Sequence, residues 1–172
     1  YAEELDYLVS KESRNRFILD LCNTISGNTL VLFQLVEKHG KVLYDEMKGK
    51  ENVYFVYGGT DTDQREKIRE LVEKHKNSTT IASYGTFSTG INIRNIHNIV
   101  LASPSKSKIR VLQSIGRGLR TSSTKNSILV FDIADDVSYK GRRNFTLNHF
   151  FERLNIYNEQ QFNYEISKVR IK

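Results

Sequence analysis

The chain has 172 residues, 38% of them hydrophobic and 27% charged, and Lys and Arg outnumber Asp and Glu by 26 to 20. That length predicts one domain with a real hydrophobic core, and the net charge of +6 favours an anionic partner. A single cysteine excludes an internal disulfide and a cysteine-cluster metal site, and apolar runs no longer than a strand exclude a transmembrane segment.

The chain opens at Tyr1 with no secretory leader, and its only methionine is Met47, so it is expected to be a fragment or a processed product. Residues 1–9 read as an acidic, irregular linker from an upstream domain. A helix capped by Ser10 or Ser13 is expected to run to about Ile25, with Phe17, Ile18, Leu21 and Ile25 at helical spacing. Cys22 falls on it as a buried thiol, which suits a reducing, cytoplasmic setting. The continuous apolar run Thr29 to Phe33 predicts a strand buried on both faces. A helix from Leu35 to Met47 follows, then a strand from Val53 to Tyr57, broken by Gly58-Gly59-Thr60. Asp63 and Glu66 offer a capping box for a helix to about His75. Thr79 to Ser83 predicts a third strand, and Tyr84 to Asn98 reads as a loop rich in Gly, Ser, Thr and Asn. Ile99 to Ala102 is a fourth strand. A helix entered at Ser107 and Lys108 precedes a fifth strand, Ser127 to Ile133.

Strands alternating with helices predict right-handed βαβ units, hence an α/β fold with a mostly parallel sheet and helices on both faces. Ligands of such sheets lie beyond the carboxyl ends of the strands. The segments after Phe33, Tyr57, Ser83 and Ala102 should therefore converge on one edge. Residues 140–172 leave the alternation. They are basic around Lys140, Arg142 and Arg143, then aromatic, and are expected to form an amphipathic helix docked on the same domain, 10–139.

Two stretches carry chemistry. In Gly85-Thr86-Phe87-Ser88-Thr89-Gly90-Ile91-Asn92-Ile93, small residues with amides and hydroxyls suit close approach to phosphates. In Gln113-Ser114-Ile115-Gly116-Arg117-Gly118-Leu119-Arg120, two guanidiniums three residues apart share one helix face. Such forks match phosphate oxygens, and cations at a helix end also complement its dipole.

The pattern Gln113-x-x-Gly116-Arg117-x-x-Arg120 resembles motif VI of superfamily-2 helicases. Ser88-Thr89-Gly90-Ile91-Asn92 resembles motif V, and Leu30 to Phe33 with its following turn resembles motif IV. Tyr57-Gly58-Gly59-Thr60 with Arg65 resembles the turn after motif IV that meets the nucleic-acid backbone. The motifs fall in order over residues 28–136, so the chain is identified as similar to the second RecA-like domain of this family. The resemblance implies a RecA-like three-layer fold and a DNA-stimulated ATPase acting on branched DNA in recombination and repair. Arg117 and Arg120 would be the arginine fingers. Gly90, Asn92, Gln113 and Gly116 would face the nucleotide, and Gly59, Thr60, Thr86, Thr89 and Gly90 the DNA backbone. No Gly-x-x-x-x-Gly-Lys-Ser/Thr loop and no acidic magnesium box occur in the sequence. ATP with Mg²⁺ would then be held mainly by a preceding N-terminal RecA-like domain, and this chain would be a half-site. No membrane partner is expected, and a phage-encoded copy would work in the host cytoplasm. A duplex translocase without unwinding and a non-catalytic nucleic-acid-binding module are the alternatives.

Overall fold

The computed structural model describes residues 1–88, 95–105, 108, 112 and 127–172. In chain order they form α1 (Ala2–Ser10), α2 (Glu12–Thr24), β1 (Asn28–Phe33), a π-helical turn (Val36–Gly40), α3 (Lys41–Met47), β2 (Val53–Val56) and α4 (Thr62–Lys74). β3 (Ser78–Ser83), α5 (Tyr84–Ser88), β4 (Asn98–Leu101), β5 (Leu129–Asp132) and α6 (Phe145–Glu159) follow. The five strands form one sheet in the order β2-β3-β1-β4-β5, and every pairing is parallel.

The sequence puts β1 at the centre. All six of its residues are buried, because it pairs with β3 on one side, Leu30 opposite Thr80, and with β4 on the other, Leu30 opposite Ile99. Successive side chains on a strand point to opposite faces. Leu30 and Leu32 join Ile68 and Val72 of α4 and Tyr157 of α6, while Val31 and Phe33 join Ile18 of α2 and Leu43 and Met47 of α3. Helices on both faces make the three-layer arrangement that the alternation predicts.

Four local expectations need correction. Residues 1–9 are not irregular: α1 buries Leu5, Leu8 and Val9, and this i, i+3, i+4 spacing outweighs the acidic residues between them. Neither Ser10 nor Ser13 caps α2, whose cap is Lys11 without a side-chain bond. Asp61, not the Asp63–Glu66 box, caps α4 by accepting from the Gln64 amide at 2.8 Å. Glu66 pairs instead with Arg69. The segment after β3 begins as a helical turn, α5, rather than as loop.

α1 also clasps α6. The Glu4 carboxylate accepts from the backbone amides of Phe145 and Thr146 at 2.9 and 2.8 Å, which satisfies the amino end of α6 from another helix. At the far end Phe162 N donates to Tyr157 O at 2.9 Å, and the rings of Phe162 and Tyr164 lie 6.3 and 5.7 Å from the Tyr157 ring. Among the described residues no helix is long and apolar enough to cross a membrane.

Candidate functional site

The parallel sheet brings the carboxyl ends of its strands to one edge, and the turns there are closed by their own side chains. After β2, Thr60 N donates to Tyr57 O at 3.0 Å and Tyr57 N donates to Thr60 Oγ1 at 3.1 Å. Arg65, from the first turn of α4, donates to the carbonyls of Thr60, Gly58 and Tyr57 at 2.8, 3.0 and 3.3 Å. The guanidinium is thus spent on holding the turn. Gly59 is exposed at its tip, and a Cβ there would lie 2.5 Å from the Tyr57 ring. Glycine lets the chain pass that ring closely. Thr60 is buried, its hydroxyl accepting from Tyr57 N while its own proton remains to be donated.

On the neighbouring strand β3, Ser83 caps α5. Thr86 N donates to Ser83 Oγ at 3.3 Å, and the two hydroxyls are 2.6 Å apart. Thr86 is buried against Ser83, and Gly85 is exposed beside it. The structure therefore brings Gly59, Thr60 and Thr86 to the same edge, on adjacent strands. Thr89, Gly90, Asn92, Gln113, Gly116, Arg117 and Arg120 lie outside the described residues.

Sequence reasoning missed what braces this edge. Ser103, just past β4, is a hub. Its Oγ accepts from Gln34 N at 3.1 Å and lies 2.6 Å from His39 Nδ1, and its carbonyl accepts from the Tyr84 hydroxyl at 2.9 Å. His39 Nε2 is 3.1 Å from Asn15 Oδ1, which can only accept. Nε2 therefore carries the proton and Nδ1 accepts from Ser103. Arg14, 1% exposed, donates to Asp135 at 2.7 Å and to Ala102 O at 2.7 Å, tying α2 to the ends of β4 and β5.

A second buried group sits where β5 ends. Asp132 takes the Lys108 ammonium at 3.2 Å and the Arg153 guanidinium at 2.7 and 3.0 Å, and its other partner is the Tyr157 hydroxyl. Burial alone would raise the Asp132 carboxyl, but Lys108 and Arg153 outweigh it and hold the group well below the usual carboxylate range. Burial pushes the Lys108 ammonium down to about 8 against the pull of Asp132. One hint was legible: an aspartate within the otherwise apolar run Ile128 to Ile133 needs a cation once the strand is covered. Asp132→Ala would leave two buried cations facing each other, and the chain is expected to lose about 3–5 kcal/mol of stability. Urea unfolding of the variant checks this, and a loss under about 1 kcal/mol contradicts the cluster.

His39 makes stability depend on pH. Burial, helped by the charge of Arg14, pushes its imidazole down to about 3 from the ordinary 6.5. The unfolded chain therefore binds a proton that the folded chain refuses between these values. Stability is full above about pH 6.5 and falls as pH drops toward 3, with a slope approaching about 1.4 kcal/mol per unit. Denaturation midpoints read this slope. His39→Gln is expected to flatten it, and an unchanged slope would assign the acid loss elsewhere.

Among the described residues no group of His, Cys, Asp and Glu converges to hold a metal. The carboxylates of Asp132 and Asp135 are already occupied by cations, so these residues do not fit Mg²⁺.

Comparison with known proteins matches residues 5–122 to the model of the helicase conserved C-terminal domain. The ATP-dependent DNA helicase UvsW of Enterobacteria phage T4 is 36% identical over 185 aligned positions, which cover 99% of this chain and 37% of UvsW. IRC3 of Saccharomyces cerevisiae, which carries an ATP-dependent helicase name, is 32% identical over 109 residues, or 62% of this chain and 16% of its own. The crystal structure of T4 UvsW superposes with a TM-score of 0.82 over 98% of this chain and 37% of that one, at 36% identity. The chain thus spans well under half the length of these relatives.

Proposed function

Because the chain belongs to the helicase conserved C-terminal domain family, we propose that it is the C-terminal motor half of an ATP-dependent DNA helicase that acts on branched DNA in recombination and repair. The observation that carries the proposal is the 36% identity to a named ATP-dependent DNA helicase across 99% of the chain. The span of 37% of that relative supports a second motor domain as partner, and that domain would hold ATP with Mg²⁺.

The reaction is phosphoryl transfer to water, in which positioning and electrostatics do most of the catalysis. Arg120, with Arg117, supplies charge where it develops on the transferred phosphoryl group. Gln113, Gly116, Gly90 and Asn92 face the nucleotide. The DNA backbone runs over the β2 and β3 turns, where Gly59 admits a phosphate closely and Thr60 donates its hydroxyl proton; Thr86, Thr89 and Gly90 continue the track. Closure of the two motor domains on ATP then tightens the grip on DNA, and hydrolysis relaxes it.

The test is DNA stimulation of ATP turnover in a polypeptide carrying both motor domains. Thr89→Ala and Thr60→Ala are expected to weaken the stimulation and leave the basal rate nearly unchanged. The loss should be equal for every DNA sequence, since phosphates carry no sequence information. Thr60→Ser, which keeps the donor, should restore stimulation. Loss of basal rate alone would contradict the track.

A further inference from the structure

Beyond β5 the chain makes a tight turn at Tyr139–Arg142, apart from the turns after β2 and β3. Tyr139 N donates to Arg142 O at 3.1 Å and Arg142 N to Tyr139 O at 3.0 Å. Lys140 and Gly141 between them both have positive φ, +48° and +76°. Two positive φ values make the primed two-residue turn that matches strand twist, so the tip is locked rather than loose. It places Tyr139 and Arg142 opposite each other, on one face.

The tip is basic and aromatic at once. Lys140, Arg142 and Arg143 are all exposed. Tyr139 is 72% exposed and Phe145 is 58% exposed. Lys140 Nζ lies 5.2 Å above the Tyr139 ring, and the Arg143 guanidinium lies 4.4 Å from the Phe151 ring. The nearby acid is Asp136, whose carboxylate accepts from Ser138 N at 3.0 Å and feels Lys168 and Arg143. A stability role explains the two backbone bonds but not a phenol left in water under the Lys140 ammonium.

We propose that this turn is a second nucleic-acid contact, in which Tyr139 stacks on an unpaired base while Lys140 and Arg142 meet the flanking phosphates of a single strand. A ring flanked by cations is what single-strand binding uses, since every base has a face to stack and every link a charge. Because β5 is parallel to β2 and β3, the segment that leaves its carboxyl end starts from the edge that carries Gly59 and Thr60. The inference rests on the nucleic-acid reading of that edge and adds to it a platform for an unpaired base.

The experiment is fluorescence anisotropy of labelled oligothymidylate, about 20 nucleotides long, titrated with the full chain between about 50 and 200 mM salt. Tyr139→Ala is expected to weaken binding about tenfold and leave the salt slope unchanged; Tyr139→Phe is expected to bind like the parent. Lys140→Ala with Arg142→Ala should instead flatten the salt slope by about one unit or more. Tyr139 is exposed, so equal melting temperatures will confirm that its variants fold. If the parent binds the oligonucleotide and Tyr139→Ala binds equally well, the platform is overturned and the β2–β3 track stands. If the parent binds no oligonucleotide even at low salt, the nucleic-acid reading fails and the platform with it. Equal competition by polyglutamate, with no effect of Tyr139, would assign the turn to an acidic protein partner and overturn the proposal.

Discussion

Arg120→Ala, in a polypeptide carrying both motor domains, is expected to lower ATP turnover by about 10³-fold or more. The size follows from what the guanidinium does. In the proposed mechanism it meets charge that develops only as the terminal phosphoryl group transfers, so its contribution would appear in the transition state and little in the ground state. Affinity for ATP should fall far less than turnover. Arg120→Lys should not rescue, because an ammonium is a point charge and cannot reproduce a planar fork of donors. Arg117→Ala should also lower turnover. A double variant no worse than Arg120→Ala would show that the pair acts as one unit. The readouts are kcat and KM for ATP with saturating DNA. Near-normal turnover in Arg120→Ala would remove that residue from the mechanism.

The architecture was legible because hydrophobic runs and their spacing are strong signals. The continuous run through Leu30 to Phe33 marks a strand buried on both faces, and β1 is the central strand. β5 is placed within a residue or two, although Leu129 is exposed at the edge of the sheet. Local chemistry was harder to read. The acidic residues of α1 hid an apolar stripe, and of two aspartates two residues apart it is Asp61, not the expected Asp63, that accepts the Gln64 amide and caps α4. Gly59, Thr60 and Thr86 are singled out in the sequence by the resemblance of their small-residue turns to the family's motifs, and the parallel sheet sets those turns at one edge.

The bracing network was out of reach for the opposite reason. Arg14 and Asp135 are 121 positions apart, and Lys108 and Asp132 are 24 apart. No periodicity links such pairs. Only the fold shows that an arginine on α2 and an aspartate after β5 share one buried site. His39 is similar, since its sequence context of Lys38 and Gly40 reads as a surface helix end, whereas its ring is wholly enclosed between Asn15 and Ser103.

If this chain contributes only half of an active site, ATP turnover by the purified chain will show it. The chain has its own two-sided core, built from β1 outward, and is expected to fold alone with a cooperative transition. It should nevertheless hydrolyse no measurable ATP, with or without DNA, because its arginines can stabilise a phosphoryl group only when another domain holds it within reach. Weak DNA binding should persist and fall steeply with salt. Mixing the chain with the preceding motor domain of the same protein should raise turnover above the sum of the two alone, and the Arg120→Ala chain should fail to do so. Robust hydrolysis by the isolated chain would mean a complete site within these 172 residues and would overturn the half-site proposal.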